Sequence, residues 1–303
     1  MRRILLILLM IFSGCGKKKE YEYYWLKYRM EKGEKYMVQY EQREAFVQKV
    51  EGRGIKSRVR RETEVGIQLK LEVIEVEEDE DVRFKCCYQN VKIKQEGPFG
   101  NFVFDNAPQD SSNIFSLLWK AIMESELEVT ISPDGKIKEV WGMNEVTHKV
   151  LEEIKRNTSL MVDTLFLKFL VAENIEGMMR MVWNIYSEDP IKVGGKWEKD
   201  NIFLLGLPVW VRKYCTLKEV DEDRGIIEVY SLLFPLPEFQ ALVRYDVSGY
   251  LRGRMRVNME TGVLENYEAE GPFSGRVGVG EDQKVVVVFR GRRKIKIVMK
   301  RVM

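Results

Sequence analysis

Residues 67–93 read IQLKLEVIEVEEDEDVRFKCCYQNVKI, and their parity decides the fold class. Ile67, Leu69, Leu71 and Val73 alternate with Gln68, Lys70 and Glu72, which is the period of a half-buried strand. The acidic run Glu75–Asp81 has neither the glycine nor the ligand spacing of a calcium loop, and reads as a solvated turn between two strands. Val82, Phe84, Cys86 and Tyr88 then hold even positions, whereas Val91 and Ile93 hold odd ones. One extra residue near Gln89-Asn90 keeps all six on one face, so the pattern predicts a bulge there.

The same alternation extends both ways. Tyr36, Val38 and Tyr40 form an earlier strand, and Leu127, Val129 and Ile131 lead into the turn Pro133-Asp134-Gly135. From residue 200 onward the chain again reads as strands. The last of them carries Arg292, Arg293, Lys294, Lys296, Lys300 and Arg301, a basic composition expected of a sheet edge that repels further pairing or of one that faces an anionic membrane.

A weak repeat runs through these strands. KGEKY at 32–36 answers to VGGKW at 193–197, VEEDE at 76–80 to VDEDR at 220–224, and Asp134-Gly135 to Thr261-Gly262. The expected fold is therefore mostly β with an inserted helical segment (α+β). Two related curved antiparallel β halves, 21–142 and 190–303, flank a helical insert at 143–189, and together can form one lipid-carrier-like open barrel around the helices.

Helical spacing appears in two places. Ile114, Leu117, Leu118, Ala121 and Ile122 mark a short helix capped by Asn113. In the insert, Val146, Val150, Leu151 and Ile154 mark one face, residues 160–172 are apolar nearly all round, and Ile175, Met178, Met179, Val182 and Tyr186 mark another face. A helix apolar on most sides is buried in a core, a partner or lipid.

The N-terminus reads MRRILLILLMIFSGC. Two arginines, a short apolar core, then Ser13-Gly14 before Cys15 give a signal peptide over 1–14, since spanning a bilayer takes about 20 apolar residues. It resembles a bacterial lipoprotein leader, which implies a lipidated (palmitate-type) Cys15 and a basic tether at 15–20 with Lys17–Lys19 beside anionic headgroups. The expected location is the cell envelope, on the periplasmic or extracellular side, with the membrane as partner through the anchor.

Without Arg2 and Arg3, 47 basic residues face 47 acidic ones, so no basic footprint for nucleic acid exists. The single histidine, His148, lies at a polar helix position and excludes a multi-histidine metal site. No nucleophile, base or phosphate-cradling motif stands out. The expectation is a non-enzymatic protein with no cofactor beyond the lipid on Cys15. Cys86, Cys87 and Cys215 leave two readings open, one disulfide or three free thiols.

With these landmarks placed, the chain resembles a bacterial envelope family known as domain of unknown function 6263. The phrases that carry the resemblance are LKYRMEKGEKYMVQY at 26–40, ISPDGKIKEVWGMNEV at 131–146, DPIKVGGKWEK at 189–199 and METGVLENYEAEG at 259–271. Family members are often richer in Met, Ser and Thr where this chain has Arg, Glu and Lys. The resemblance implies an exported, mostly β module and no site residues. From the residues themselves the expected function is a hydrophobic-ligand binder, with Leu165, Phe166, Phe169, Leu170, Met178, Met179 and Trp183 as lining. The alternative is a structural lipoprotein with a filled core that meets other envelope proteins.

Overall fold

A computed structural model describes residues 22–52, 54–96, 102–108, 114–157, 176–204, 208–237, 244–279 and 285–302. The chain is mostly β. Its strands are β1 (Tyr23–Tyr24), β2 (Lys35–Gly52), β3 (Ile55–Val76), β4 (Val82–Glu96), β5 (Phe102–Asp105), β6 (Ala107–Pro108), β7 (Leu127–Ile131), β8 (Ile137–Trp141), β9 (Ile191–Lys192), β10 (Lys196–Leu204), β11 (Pro208–Asp221), β12 (Arg224–Pro235), β13 (Tyr245–Asn258), β14 (Leu264–Val279) and β15 (Val285–Val302). The helices are α1 (Ile114–Met123), α2 (Met143–Asn157) and α3, described over residues 176–183.

Thirteen strands make one antiparallel sheet in the order β10-β11-β12-β13-β14-β15-β2-β3-β4. Beyond β4 its edge is shared: β5 and then β6 follow Lys92–Gln95, while β7 and then β8 follow Val82–Cys86. Among the described residues no ladder closes the sheet into a barrel. One face is buried over much of the sheet, because the strands alternate apolar and polar residues in phase with their neighbours, but no residue is buried where β2, β3 and β15 run through 45–52, 56–66 and 285–292. The expected bulge is present: Gln68 pairs with Asn90 and Leu69 with Tyr88, leaving Gln89 as the extra residue.

The two runs β2-β3-β4-β7-β8 and β10-β11-β12-β13-β14 share local geometry. Gly33 (φ +90°) and Gly194 (φ +83°) each precede a strand, in a backbone region that glycine alone enters cheaply. Gly33 N–H donates to Val73 O at 2.8 Å, and Gly194 N–H to Leu217 O at 2.6 Å. The next residue in each run closes the same ring, Val73 N–H donating to Glu34 O and Leu217 N–H to Gly195 O. One step further the registers skip Ile74 in the first run and Lys218 in the second. The last hairpins skip Lys138 and Glu265, each directly after the paired residue that follows the turn. Both turns rest on one N-terminal stretch: Tyr28 N–H donates to Pro133 O and Arg29 N–H to Thr261 O, each at 2.8 Å.

The basic final strand departs from expectation. β15 lies at the centre of the sheet, paired on one side with β14 and on the other with β2. Its charges serve cross-strand pairing rather than edge protection: on the outer face Arg292 lies 3.8 Å from Glu270, and Lys296 lies 3.5 Å from Glu268. Which strands pair is a long-range choice, and the composition of one strand does not encode it.

The helices lie where the spacing puts them. α1 buries Leu117, Ala121 and Ile122 and touches both β4 and α2, and α2 buries Val146 and Val150. Residues 158–175, which include the apolar stretch, lie outside the described residues. Among the described residues no helix is long and apolar enough to cross a membrane.

Candidate functional site

The sheet's two ends, β8 and β10, meet at a seam held by side chains and by α3. Asp134, in the β7–β8 turn, accepts from Lys199 Nζ of β10 at 2.7 Å. Burial disfavours the Asp134 charge, but the Lys199 and Ser132 hydrogen bonds outweigh it and hold this carboxyl below its usual range. The turn fits tightly here, since a Cβ on Gly135 (φ +85°) would overlap the Trp183 carbonyl. Just after α3, Asn184 Nδ2 donates to Asp200 O at 3.0 Å and Ile185 O accepts from Trp197 Nε1 at 2.8 Å. Trp183, the last residue of α3, stacks on Phe84 of β4, with ring centroids 5.4 Å apart. Thus the end of α3 and the two residues after it contact β4, the β7–β8 turn and β10.

A cleft of about 480 Å³ opens along this seam. Ile137, Ile202, Trp210, Leu236 and Pro237 supply its apolar wall, and Lys136, Arg180, Asn184, Asp200 and Asn201 its polar one. The buried face of the sheet continues inward as a row of unexpected polarity. Lys213 on β11 is 2% exposed, and burial lowers its ammonium pKa to about 8. Turned to satisfy its neighbours, the Asn201 carboxamide accepts from Lys213 Nζ at 2.9 Å. Across the sheet Arg293, 1% exposed, pairs with Glu44, lies 5.6 Å from the Phe273 ring centre, and is lowered by burial to about 9. Glu44 in turn accepts from Gln42 Nε2 at 2.7 Å, and Gln42 from the Tyr40 hydroxyl.

Of the residues expected from sequence to line a ligand, Met178, Met179 and Trp183 are buried together on α3. None of the three borders the seam cleft itself. Leu165, Phe166, Phe169, Leu170 and Cys15 lie outside the described residues. Lys199, Lys213 and Arg293 were missed as interior groups. Their signal is parity: Lys213 interrupts the apolar series Val211, Cys215, Leu217, as Arg293 precedes Ile295, Ile297 and Met299.

The remaining candidates resolve simply. Cys86, Cys87 and Cys215 are free thiols, and burial raises Cys215 to about 11. His148 is exposed, 3.9 Å from Glu152. The carboxylates of Glu77, Asp79 and Asp81 lie within 4.8 Å of one another, with Lys138 Nζ bonded to Asp81 and 3.1 Å from Asp79. A second cleft, about 680 Å³, lies against β10–β13 and is lined by Tyr214, Tyr230, Arg252 and Arg254 among others. Beside it Arg252 lies over the rings of Tyr230 and Tyr250, at 5.7 and 5.3 Å.

No curated protein matches the chain by sequence. Among solved structures, lipovitellin, described for its lipid–protein interactions, is similar over 90% of this chain at 9% identity and a TM-score of 0.48. The match spans 25% of the lipovitellin chain. A DUF1329 family protein from Desulfovibrio piger is 10% identical over 83% of each chain, with a TM-score of 0.18. The COG4313 outer membrane channel from Pseudomonas putida is 10% identical over 90% of this chain and 98% of its own, with a TM-score of 0.21. A family profile matches residues 79–264, and the chain belongs to that family, the family of unknown function DUF6263.

Proposed function

We propose that this protein is a non-catalytic, lipid-anchored binding protein of the bacterial envelope, exported and tethered through Cys15, that holds a hydrophobic ligand between its sheet and its helices. The observation that carries this reading is the seam cleft. Its volume of about 480 Å³ falls in the range of small-ligand pockets, and it opens at the sheet's edge, where side chains rather than a strand ladder join the ends and where Ile202 and Trp210 come from the outer face while Asn184 and Arg180 come from the helical side. Two related halves, zipped together by β15, form an open barrel in this proposal, and the ligand enters where that barrel is unsealed. Met178, Met179 and Trp183 make α3 the adaptable wall behind the cleft. Leu165, Phe166, Phe169 and Leu170 are, by their sequence, further candidates for acyl contact.

The test fills the cleft. The parent protein is expected to bind a fluorescent fatty acid, and Ile202→Trp to lose that binding at an unchanged melting temperature. Binding retained in the variant, or absent from the parent, counts against the reading.

A second reading, a structural module that meets other envelope proteins, draws on the outer face of β11–β13. There Trp210 packs on Phe234 at 5.6 Å and Tyr230 on Tyr250 at 5.7 Å, with Tyr230 and Phe234 exposed. Exposed aromatics beside arginines are the composition of protein interfaces.

A further inference from the structure

The sheet runs on past its core. Over 45–52 of β2, 56–66 of β3, 274–278 of β14 and 285–292 of β15 no residue is buried, although the strands continue in register. That register puts Phe46, Val50, Val59, Val277, Val287 and Phe289 on the inner face, all half-buried. Phe46 and Phe289 have ring centroids 6.4 Å apart, and Phe273 meets them at 6.0 and 6.1 Å. Two glycines let these rings lie close on the strands. A Cβ on Gly275 would sit 2.2 Å from the Phe289 ring, and one on Gly291 would sit 2.4 Å from the Cβ of Phe46. The inner face here is a flat apolar floor.

The outer face of the same end is cationic. The four stretches hold eight basic residues, all but Arg61 on the outer face, against three acidic ones, in a chain of 49 basic and 47 acidic residues. Of the acids, Glu62 pairs with Arg60 and Glu64 with Arg43. Lys49, Lys56, Arg58, Arg276 and Arg290 are exposed and form no ion pair among the described residues. Lys49 stands directly opposite Arg58, and Val288, 42% exposed, stands between Lys49 and Arg276. Like charges facing each other across a ladder cost stability, so folding alone does not favour this row.

We propose that this end of the sheet docks on an anionic membrane surface, with its apolar face in the headgroup–acyl boundary and its cations at the depth of the lipid phosphates. Interfacial amphipathic elements bury their apolar face by about 5–10 Å. A sheet with its side chains is about 10 Å thick, so the outer cations reach the phosphates while the inner face is immersed. Each basic side chain near such a surface strengthens binding about fivefold. The contact shares no residue with the seam cleft and goes beyond the ligand binding proposed there.

The test uses the chain from residue 15 with Cys15→Ser, Lys17→Gln, Lys18→Gln and Lys19→Gln, so that neither an acyl group nor the tether contributes. This protein is expected to co-sediment with vesicles of equimolar phosphatidylcholine and phosphatidylglycerol, less so as salt is raised, and not with phosphatidylcholine alone. Adding Lys49→Gln, Arg58→Gln and Arg290→Gln should weaken the binding about 100-fold, with no loss of melting temperature. Adding Val50→Asn and Val59→Asn should weaken it at least about tenfold, again without a change in melting. Equal binding to both vesicles, binding to neither, or an affinity unmoved by the charge variant or by the valine variant overturns the proposal. A dimer that the valine variant dissolves also overturns it and gives the apolar face to a second copy. So does a large fall in that variant's melting temperature, which gives the face to the protein's own core.

Discussion

Lys199 Nζ lies 2.7 Å from the Asp134 carboxylate, and this contact ties β10, at one end of the sheet, to the turn before β8 at the other. Both side chains are largely buried, so removing one leaves the other's charge without its counterion. Asp134→Asn is expected to destabilise the fold by about 3 kcal/mol. The double variant Asp134→Asn/Lys199→Met should recover much of that loss. Urea unfolding of the four proteins in the cycle measures the coupling, and additive losses would mean that the pair does not fasten the seam.

The turn that carries Asp134 gives a second prediction. At Gly135 (φ +85°) a Cβ would overlap the Trp183 carbonyl, whereas at Gly33 (φ +90°) nothing lies within 4 Å. Gly33→Ala should therefore lose only about 1 kcal/mol of backbone strain. Gly135→Ala adds a backbone clash and should lose about 3 kcal/mol or more. Thermal melts of the two variants check the order.

Lys213 sets a pH dependence. Its folded pKa of about 8 is below the ordinary 10.5, so between these values the unfolded chain holds more protons than the folded one. The group's contribution thus improves as pH rises from about 8 to 10.5, and below pH 8 its burial costs about 3 kcal/mol at most. Lys213→Met should be more stable than the parent at pH 7, with the difference closing by about pH 10.5. Cys215, raised by burial to about 11, contributes in the opposite direction above pH 9, and the Lys213 charge itself pulls this thiol down, so the comparison is made in a Cys215→Ala background, where the difference isolates Lys213. Chemical denaturation across this pH range reads the gap, and a gap that widened with pH would refute the assignment.

The anchor is tested apart from the fold. Metabolic labelling with a fatty-acid analogue should mark the parent protein, and Cys15→Ala should abolish the mark. Label persisting in that variant would refute lipidation at Cys15.

Much of the sheet was legible because its rules are local. Parity alone located the bulge at Gln89, since only a skipped residue keeps Tyr88 and Val91 on one face. The Gly33 and Gly194 turns stood out because each pairs a left-handed glycine with a Lys-aromatic strand start. The place of β15 was not legible: a basic strand looks like an edge until its partners supply Glu268 and Glu270. Neither was the seam, which assembles Asp134, Arg180, Asn201 and Leu236 from distant parts of the chain. Lys213 was missed too: it breaks the apolar series Val211, Cys215, Leu217, but one lysine at an inward position gains meaning only when its neighbours are seen.

The most direct test of ligand binding at the seam is native mass spectrometry of the protein purified without added detergent. The account predicts adducts of acyl-lipid mass on the parent, and their loss from the cleft-filling variants Ile202→Trp and Ile137→Trp at an unchanged melting temperature. Bare parent protein, or adducts equally abundant on both variants, would contradict it.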